Sequence, residues 1–128
     1  MTGVQTCALP ISIGALSAGR NWVADHVRAL AQTRAKVSAA LATLARDGLA
    51  EIPPAKGALY FLLRPKTPRT PLDYVTQLIR AHRVAAIPGD AFGLTQGCAL
   101  RIAYGALDAT TAAEGVGRLV DGVRSLAR

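Results

Sequence analysis

The apolar residues of this chain change their spacing at Pro53-Pro54, and that change limits the folds open to it. From Asn21 to about Asp47, Val23, Val27, Leu30, Ala31, Val37, Leu41, Leu44 and Ala45 trace one stripe at helical spacing. Asn21 is suited to cap that helix, and Gly48 to end it in the left-handed conformation. The two prolines stop the pattern. After Gly57 the run Ala58 to Leu63 is apolar at every position, which predicts a strand buried on both faces. Pro65, Pro68 and Pro71 then mark a loop, and Pro71 suits the first turn of a helix with the stripe Leu72, Val75, Leu78, Ile79 and His82. Val84 to Ala86 predicts a short strand, Asp90 to Leu94 one turn, and residues 98–104 the last strand. Asp108 caps a final helix with the stripe Val116, Leu119, Val120, Val123 and Leu126. Gly115, Gly117 and Gly122 weaken that helix by roughly 1 kcal/mol each relative to alanine, so packing must hold it. The order predicts an α+β fold: a small mixed or antiparallel sheet with helices packed on one face, over about 50–128. A long helix, about 21–47, precedes it.

In the last strand, alternation places Leu100, Ile102 and Tyr104 on one face and Ala99, Arg101 and Ala103 on the other. Arg101 therefore stands between two methyl side chains that leave its guanidinium open to a planar anion. Its fork can hold a carboxylate through two parallel charge-assisted hydrogen bonds. The ordinary alternative is a solvent-facing arginine.

At 128 residues one domain is expected, and a hydrophobic content of 51% supports a core plus apolar surface meant for a partner. No run approaches the roughly 18 apolar residues of a membrane span, so no membrane role is expected. Cys98 is the only cysteine besides Cys7, which gives no disulfide framework or metal spacing and fits a reducing cytoplasm. His26 and His82 have no companion ligands and are expected to be interfacial helix residues. The net charge of +7 raises nucleic-acid binding, but the arginines are scattered and aromatics suited to stacking are few. Nucleic acid is therefore not expected as a partner.

Four motifs in register carry a resemblance: Gly57-Ala58-Leu59-Tyr60, then Val84 to Pro88-Gly89, then Phe92-Gly93, then Leu100-Arg101-Ile102. This order is similar to the C-terminal part of class I/II aminotransferases, fold-type-I enzymes dependent on pyridoxal 5'-phosphate. The resemblance covers the chain from about Ser17 to Leu126. It implies that residues 21–47 join a large domain to the small one, that Arg101 binds the α-carboxylate of an amino-acid substrate, and that Gly89, Phe92 and Gly93 form the edge of the site. Tyr104 and Phe92 could line that site, though their apolar neighbours favour core packing for both. Arg34 matches an arginine often seen on the joining helix, although on its own it reads as a solvated helix face. The implied reaction moves an amino group from an amino acid to a 2-oxo acid, in a homodimer with sites at the subunit interface. Another fold-type-I reaction, such as an acyltransferase or a C–S lyase, and a non-enzymatic interaction domain are the alternatives.

Such enzymes need a lysine that forms a Schiff base with the cofactor. The chain has Lys36 in a helical pattern, Lys56 in a Pro-Pro-Ala-Lys-Gly turn and Lys66 between prolines, none in the context the family uses. No catalytic residue is therefore expected in this chain, and the resemblance puts the cofactor lysine upstream, in the large domain. Residues 1–11, MTGVQTCALPI, match codon for codon the translation of a sequencing-library adapter, so they are expected to be a scar outside the fold. The reading frame is then expected to be the C-terminal piece of a longer one, inactive by itself.

Overall fold

A computed structural model describes residues 5–127 of the chain, which comprises two units, Met1–Ala31 and Gln32–Arg128. Of the adapter-like segment, residues 1–4 lie outside the described residues, and the remainder opens helix α1 (Gln5–Ser17), with Pro10 inside it. Helix α2 (Gly19–Arg46) starts in the first unit and ends in the second. Within the first unit Leu9, Ile11, Ile13, Leu16, Trp22, Val23 and Val27 are all exposed. The Trp22 and His26 rings stack with centroids 3.9 Å apart, and His26 Nδ1 lies 2.9 Å from the Trp22 carbonyl oxygen one turn back. Arg28 pairs with Asp25.

The second unit is an α+β layer. Strands β1 (Ala50–Glu51), β2 (Tyr60–Pro65), β3 (Ile87–Pro88) and β4 (Leu100–Ala103) form one sheet in the order β1-β2-β4-β3, antiparallel throughout. The C-terminal part of α2, helix α3 (Pro71–His82) and helix α4 (Ala109–Leu126) supply the other half of the core. Phe61, Leu63 and Leu100 of the sheet are buried with Leu41, Leu44, Tyr74, Leu78, Leu119 and Val123 of the helices. The opposite face carries Tyr60, Leu62, Arg64, Ile87, Arg101 and Ala103, of which Tyr60, Arg64, Ile87 and Ala103 are exposed.

Helix ends follow local chemistry. Gly48 closes α2 with φ 71°, and its neighbour Leu49 donates a backbone hydrogen bond to the Leu44 carbonyl. Thr70 Oγ1 accepts from the Asp73 amide and Pro71 fills the first position of α3, where a missing N–H costs nothing. Asp108 accepts from the Thr110 and Thr111 amides and the Thr111 hydroxyl, which holds its carboxyl below the usual carboxylate range.

Several expectations need correction. Asn21 does not cap α2, which begins at Gly19 in the left-handed region, φ 74°. Val23, Val27 and Ala45 on its stripe are exposed, as are Leu72 and Ile79 on α3, where Tyr74 is buried instead. The strand expected over 58–63 runs two residues later. Ala58 cannot belong to it because its φ of 65° is left-handed. That strand is buried on one face only: Tyr60 and Arg64 are exposed, while Phe61, Leu63 and Pro65 are buried. Pro65 thus belongs to β2 rather than to the loop. Val84 to Ala86 is not a strand; the pairing falls on Ile87 and Pro88, opposite Arg101 and Leu100. The last strand is shorter than 98–104, at Leu100–Ala103. The two-residue β1 carries no signal in the sequence and forms only because Leu44 and Leu49 turn the chain back onto β2.

The glycines of α4 separate into two kinds. A Cβ on Gly122 would lie 2.5 Å from Leu78 Cδ2 and 3.1 Å from His82 Cδ2, so Gly122 is what lets α3 lie against α4. His82 is accordingly an interfacial helix residue. A Cβ on Gly117 would meet nothing within 4 Å. Gly117→Ala is therefore expected to stabilise the chain by about 0.5–1 kcal/mol, and Gly122→Ala to destabilise it by about 1–2 kcal/mol. Urea denaturation of both variants checks the opposite signs.

Candidate functional site

Arg101 occupies the middle of the sheet face turned away from the core, because β4 has a partner on each side. Leu62 of β2 stands directly opposite it on one side and Ile87 of β3 on the other. The side chain is half-buried. Its guanidinium carbon lies 4.6 Å from the Tyr60 ring centroid and 5.0 Å from that of Phe92, so the cation rests over two aromatic rings. Each such contact contributes about 0.5–1 kcal/mol. Nε is buried and has no hydrogen-bond partner among the described residues. A buried charged donor without a partner costs more than the roughly 1–3 kcal/mol of a neutral one.

Phe92 reaches Arg101 because of Gly89. The Gly89 amide donates to the Ala99 carbonyl across 2.7 Å, and a Cβ on Gly89 would sit 2.7 Å from Ala99 Cβ. No other residue allows that approach. It sets the single 3₁₀ turn Gly89–Phe92 against the start of β4, and Gly93, at φ 78°, reverses the chain behind it. The Gly93 and Leu94 amides then donate to the Asp90 and Gly89 carbonyls and complete the turn. The result is an open cleft of about 270 Å³ lined by Tyr60, Leu62, Phe92, Leu94 and Arg101.

The residues singled out from the sequence therefore converge, with a different immediate environment. Arg101, Phe92 and the Gly89 and Gly93 backbone meet in one place. The expected flanking methyls are not what Arg101 touches: Ala99 is fully buried beneath Gly89, and aromatic rings cover the guanidinium instead. Phe92 is exposed and belongs to the cleft, against the expectation of core packing. Tyr104 does pack in the core, with its hydroxyl donating to the Ala58 carbonyl at 2.9 Å and its ring 5.4 Å from Phe61. Tyr60, Leu62 and Leu94 are the lining residues that the sequence reading missed. Alternation along β2 was the available signal, since Tyr60 and Leu62 share a phase opposite to Phe61 and Leu63.

The lysines stand apart from the cleft. None of Lys36, Lys56 and Lys66 lines it, and all three are exposed. Arg34 is not a solvated helix side chain: it donates to the Ala55 carbonyl and lies 5.5 Å from the Phe61 ring centroid, tying α2 to the Pro53–Ala55 loop. No group of three His, Cys, Asp or Glu side chains suited to a metal occurs among the described residues, and no described helix is long and apolar enough to cross a membrane.

Cys98 is buried behind the same turn. Burial, and then the Asp90 carboxylate, push its thiol up to about 11 from an ordinary 9.0. The native state thus favours the neutral thiol, so this contribution to stability is complete below about pH 9 and is lost as the pH rises toward 11. Cys98 is expected to resist iodoacetamide at pH 8 in the native chain and to react fully in urea; peptide mapping by mass spectrometry measures the difference.

The chain matches the family model for aminotransferase class I and II over residues 1–119. The aromatic aminotransferase ISS1 of Arabidopsis thaliana is 30% identical across 96% of this chain, which spans 31% of that relative's length. Among solved structures, an α-aminoadipate aminotransferase, LysN, from Thermus thermophilus, complexed with N-(5'-phosphopyridoxyl)-L-leucine, superposes with a TM-score of 0.59 and 26% identity. The match covers 73% of this chain and 25% of that one. A PLP-dependent aminotransferase from Streptococcus suis superposes with a TM-score of 0.62 at 15% identity, over 77% of this chain and 25% of its own, and shares the fold. With an α+β layer of the same architecture and a family match over most of its length, the chain belongs to the class I and II aminotransferases.

Proposed function

We propose that this chain provides the substrate-carboxylate contact of a pyridoxal phosphate-dependent transaminase. The whole enzyme moves an amino group between an amino acid and a 2-oxo acid. The observation that carries the reading is the half-buried Arg101 guanidinium, set over the Tyr60 and Phe92 rings in an open cleft, with no ion-pair partner among the described residues. Contact with both rings restrains the side chain, so a carboxylate that docks on it is oriented as well as bound. Leu62 and Leu94 give that contact apolar neighbours. Gly89 and Gly93 hold the turn that brings Phe92 into place.

Pyridoxal phosphate, when bound in such an enzyme, supplies the electron sink at the substrate α-carbon. The side chains of this cleft fit the carboxylate end of a substrate and not the cofactor aldehyde, because no lysine lines it. The cofactor lysine and the phosphate contacts are accordingly assigned to the remainder of the protein. By family resemblance the complete enzyme is a homodimer, and a buried, unpaired Cys98 accords with a cytoplasmic setting. Transamination is preferred to an acyltransferase or C–S lyase reaction because the matching relatives named above are aminotransferases.

In the full-length enzyme Arg101→Ala is expected to lower kcat/KM for amino-acid substrates about ten-fold or more, as loss of a charge-assisted contact of about 1.5–3 kcal/mol requires. Arg101→Lys recovers only part of the loss, since an ammonium lacks the planar fork. Steady-state kinetics equal to the parent enzyme in Arg101→Ala would reject the assignment.

A further inference from the structure

Among the described residues only Ala58 and Arg83 carry a side chain at positive φ. Arg83, at 52°, ends α3, where the left-handed conformation lets its amide donate to the Ile79 carbonyl. Ala58, at 65°, ends no helix, and its Cβ makes that conformation unfavourable. A contact from outside the loop has to hold it. The antiparallel register of β2 and β4, continued by one pair past Tyr60 and Ala103, sets Leu59 opposite Tyr104. The Tyr104 amide donates to the Leu59 carbonyl at 3.0 Å, and the Tyr104 hydroxyl donates to the Ala58 carbonyl at 2.9 Å. One buried residue thus binds two successive carbonyls at the entry to β2. A Cβ on Gly105 would lie 2.7 Å from Leu59 Cβ, so the chain after Tyr104 lies directly against that entry. The Tyr104 ring itself is fixed in the core, 5.4 Å from the Phe61 ring.

Without the turn at Ala58, the apolar run from Ala58 to Leu63 would continue as one extended strand. Ala58 would then stand two residues before Tyr60 on the same face, opposite Gly105. Tyr60 is the first residue of β2. It pairs with Ala103, which makes it the diagonal neighbour of Arg101, and its ring lies 4.6 Å from the guanidinium carbon. The turn at Ala58 therefore sets the direction from which Tyr60 enters the cleft. Resting on the assignment of Arg101 above, we infer that Tyr104 is a positioning residue for the carboxylate contact: its hydroxyl holds Ala58 left-handed, and through Ala58 it holds the Tyr60 ring against the Arg101 guanidinium. Tyr104 acts from the core side of the sheet, while the cleft lies on the other side.

The test is steady-state kinetics of the full-length enzyme. Tyr104→Phe keeps the ring and removes the hydroxyl. It is expected to raise KM about five-fold for the amino acid and the 2-oxo acid alike, since both dock a carboxylate, with kcat held within about two-fold. Adding Ala58→Gly to Tyr104→Phe returns KM to within about two-fold of the parent enzyme, because glycine takes positive φ at no steric cost. Ala58→Val, at an exposed position, leaves the core intact and reproduces the rise in KM, because a β-branched residue resists that φ. It carries the test even where Tyr104→Phe does not fold. A double-mutant cycle with Arg101→Ala separates positioning from stability: the KM effect of Tyr104→Phe vanishes once Arg101 is gone. Parental KM in Tyr104→Phe or Ala58→Val, no rescue by glycine, or an undiminished effect without Arg101 would each overturn the inference while leaving Arg101 as the carboxylate contact. Parental kinetics in Arg101→Ala itself overturns the underlying assignment instead.

Discussion

Four register pairs, from Tyr60 opposite Ala103 to Leu63 opposite Leu100, hold β2 against β4, and their phase decides what each face of the sheet carries. With this phase, Phe61, Leu63 and Leu100 turn toward the helices while Tyr60, Leu62 and Arg101 turn away from them. A slip of one residue would send the aromatic and aliphatic set of β2 to the wrong side and leave Arg101 facing Phe61 and Leu63. Burial of Leu63 and Leu100, both fully inaccessible, therefore fixes the site as firmly as it fixes the core. The site depends on the core through backbone pairing.

The same dependence reaches the loop that carries Phe92. The Gly89 amide and the Ala99 carbonyl form a 2.7 Å hydrogen bond at the entry to β4, and the absence of a Cβ at residue 89 is what permits it. Phe92 then falls over the guanidinium. The site is thus assembled from a strand pair and a close backbone contact, with little contribution from side-chain hydrogen bonds. Among the described residues Arg101 Nε accordingly has no hydrogen-bond partner. A second close approach, Gly122 against Leu78, performs a related task on the helical layer by setting the distance between α3 and α4.

Helix positions were legible because their signals are local. Pro71 and Thr70 mark the start of α3, Asp108 the start of α4 and Gly48 the end of α2, each through a backbone group that the neighbouring residue satisfies. Arg101 as the candidate site residue was legible from alternation and from its place in an ordered set of motifs. The errors share one cause. Continuous apolarity in residues 58–63 suggested burial on both faces, yet Tyr60 and Leu62 are apolar because they line a cleft, not because helices cover them. Short strands such as β1 and β3 have no period to detect and exist only where a partner strand lies alongside.

The sequence alone determined the helices, the α+β class and the identity of the one arginine on the last strand, because caps, prolines and apolar spacing act within a few residues of one another. Only tertiary structure decided that Tyr60 and Phe92, 32 positions apart in the chain, would meet at that arginine. Strand register and the Gly89–Ala99 contact join residues distant in sequence, and no local periodicity encodes which of them will meet.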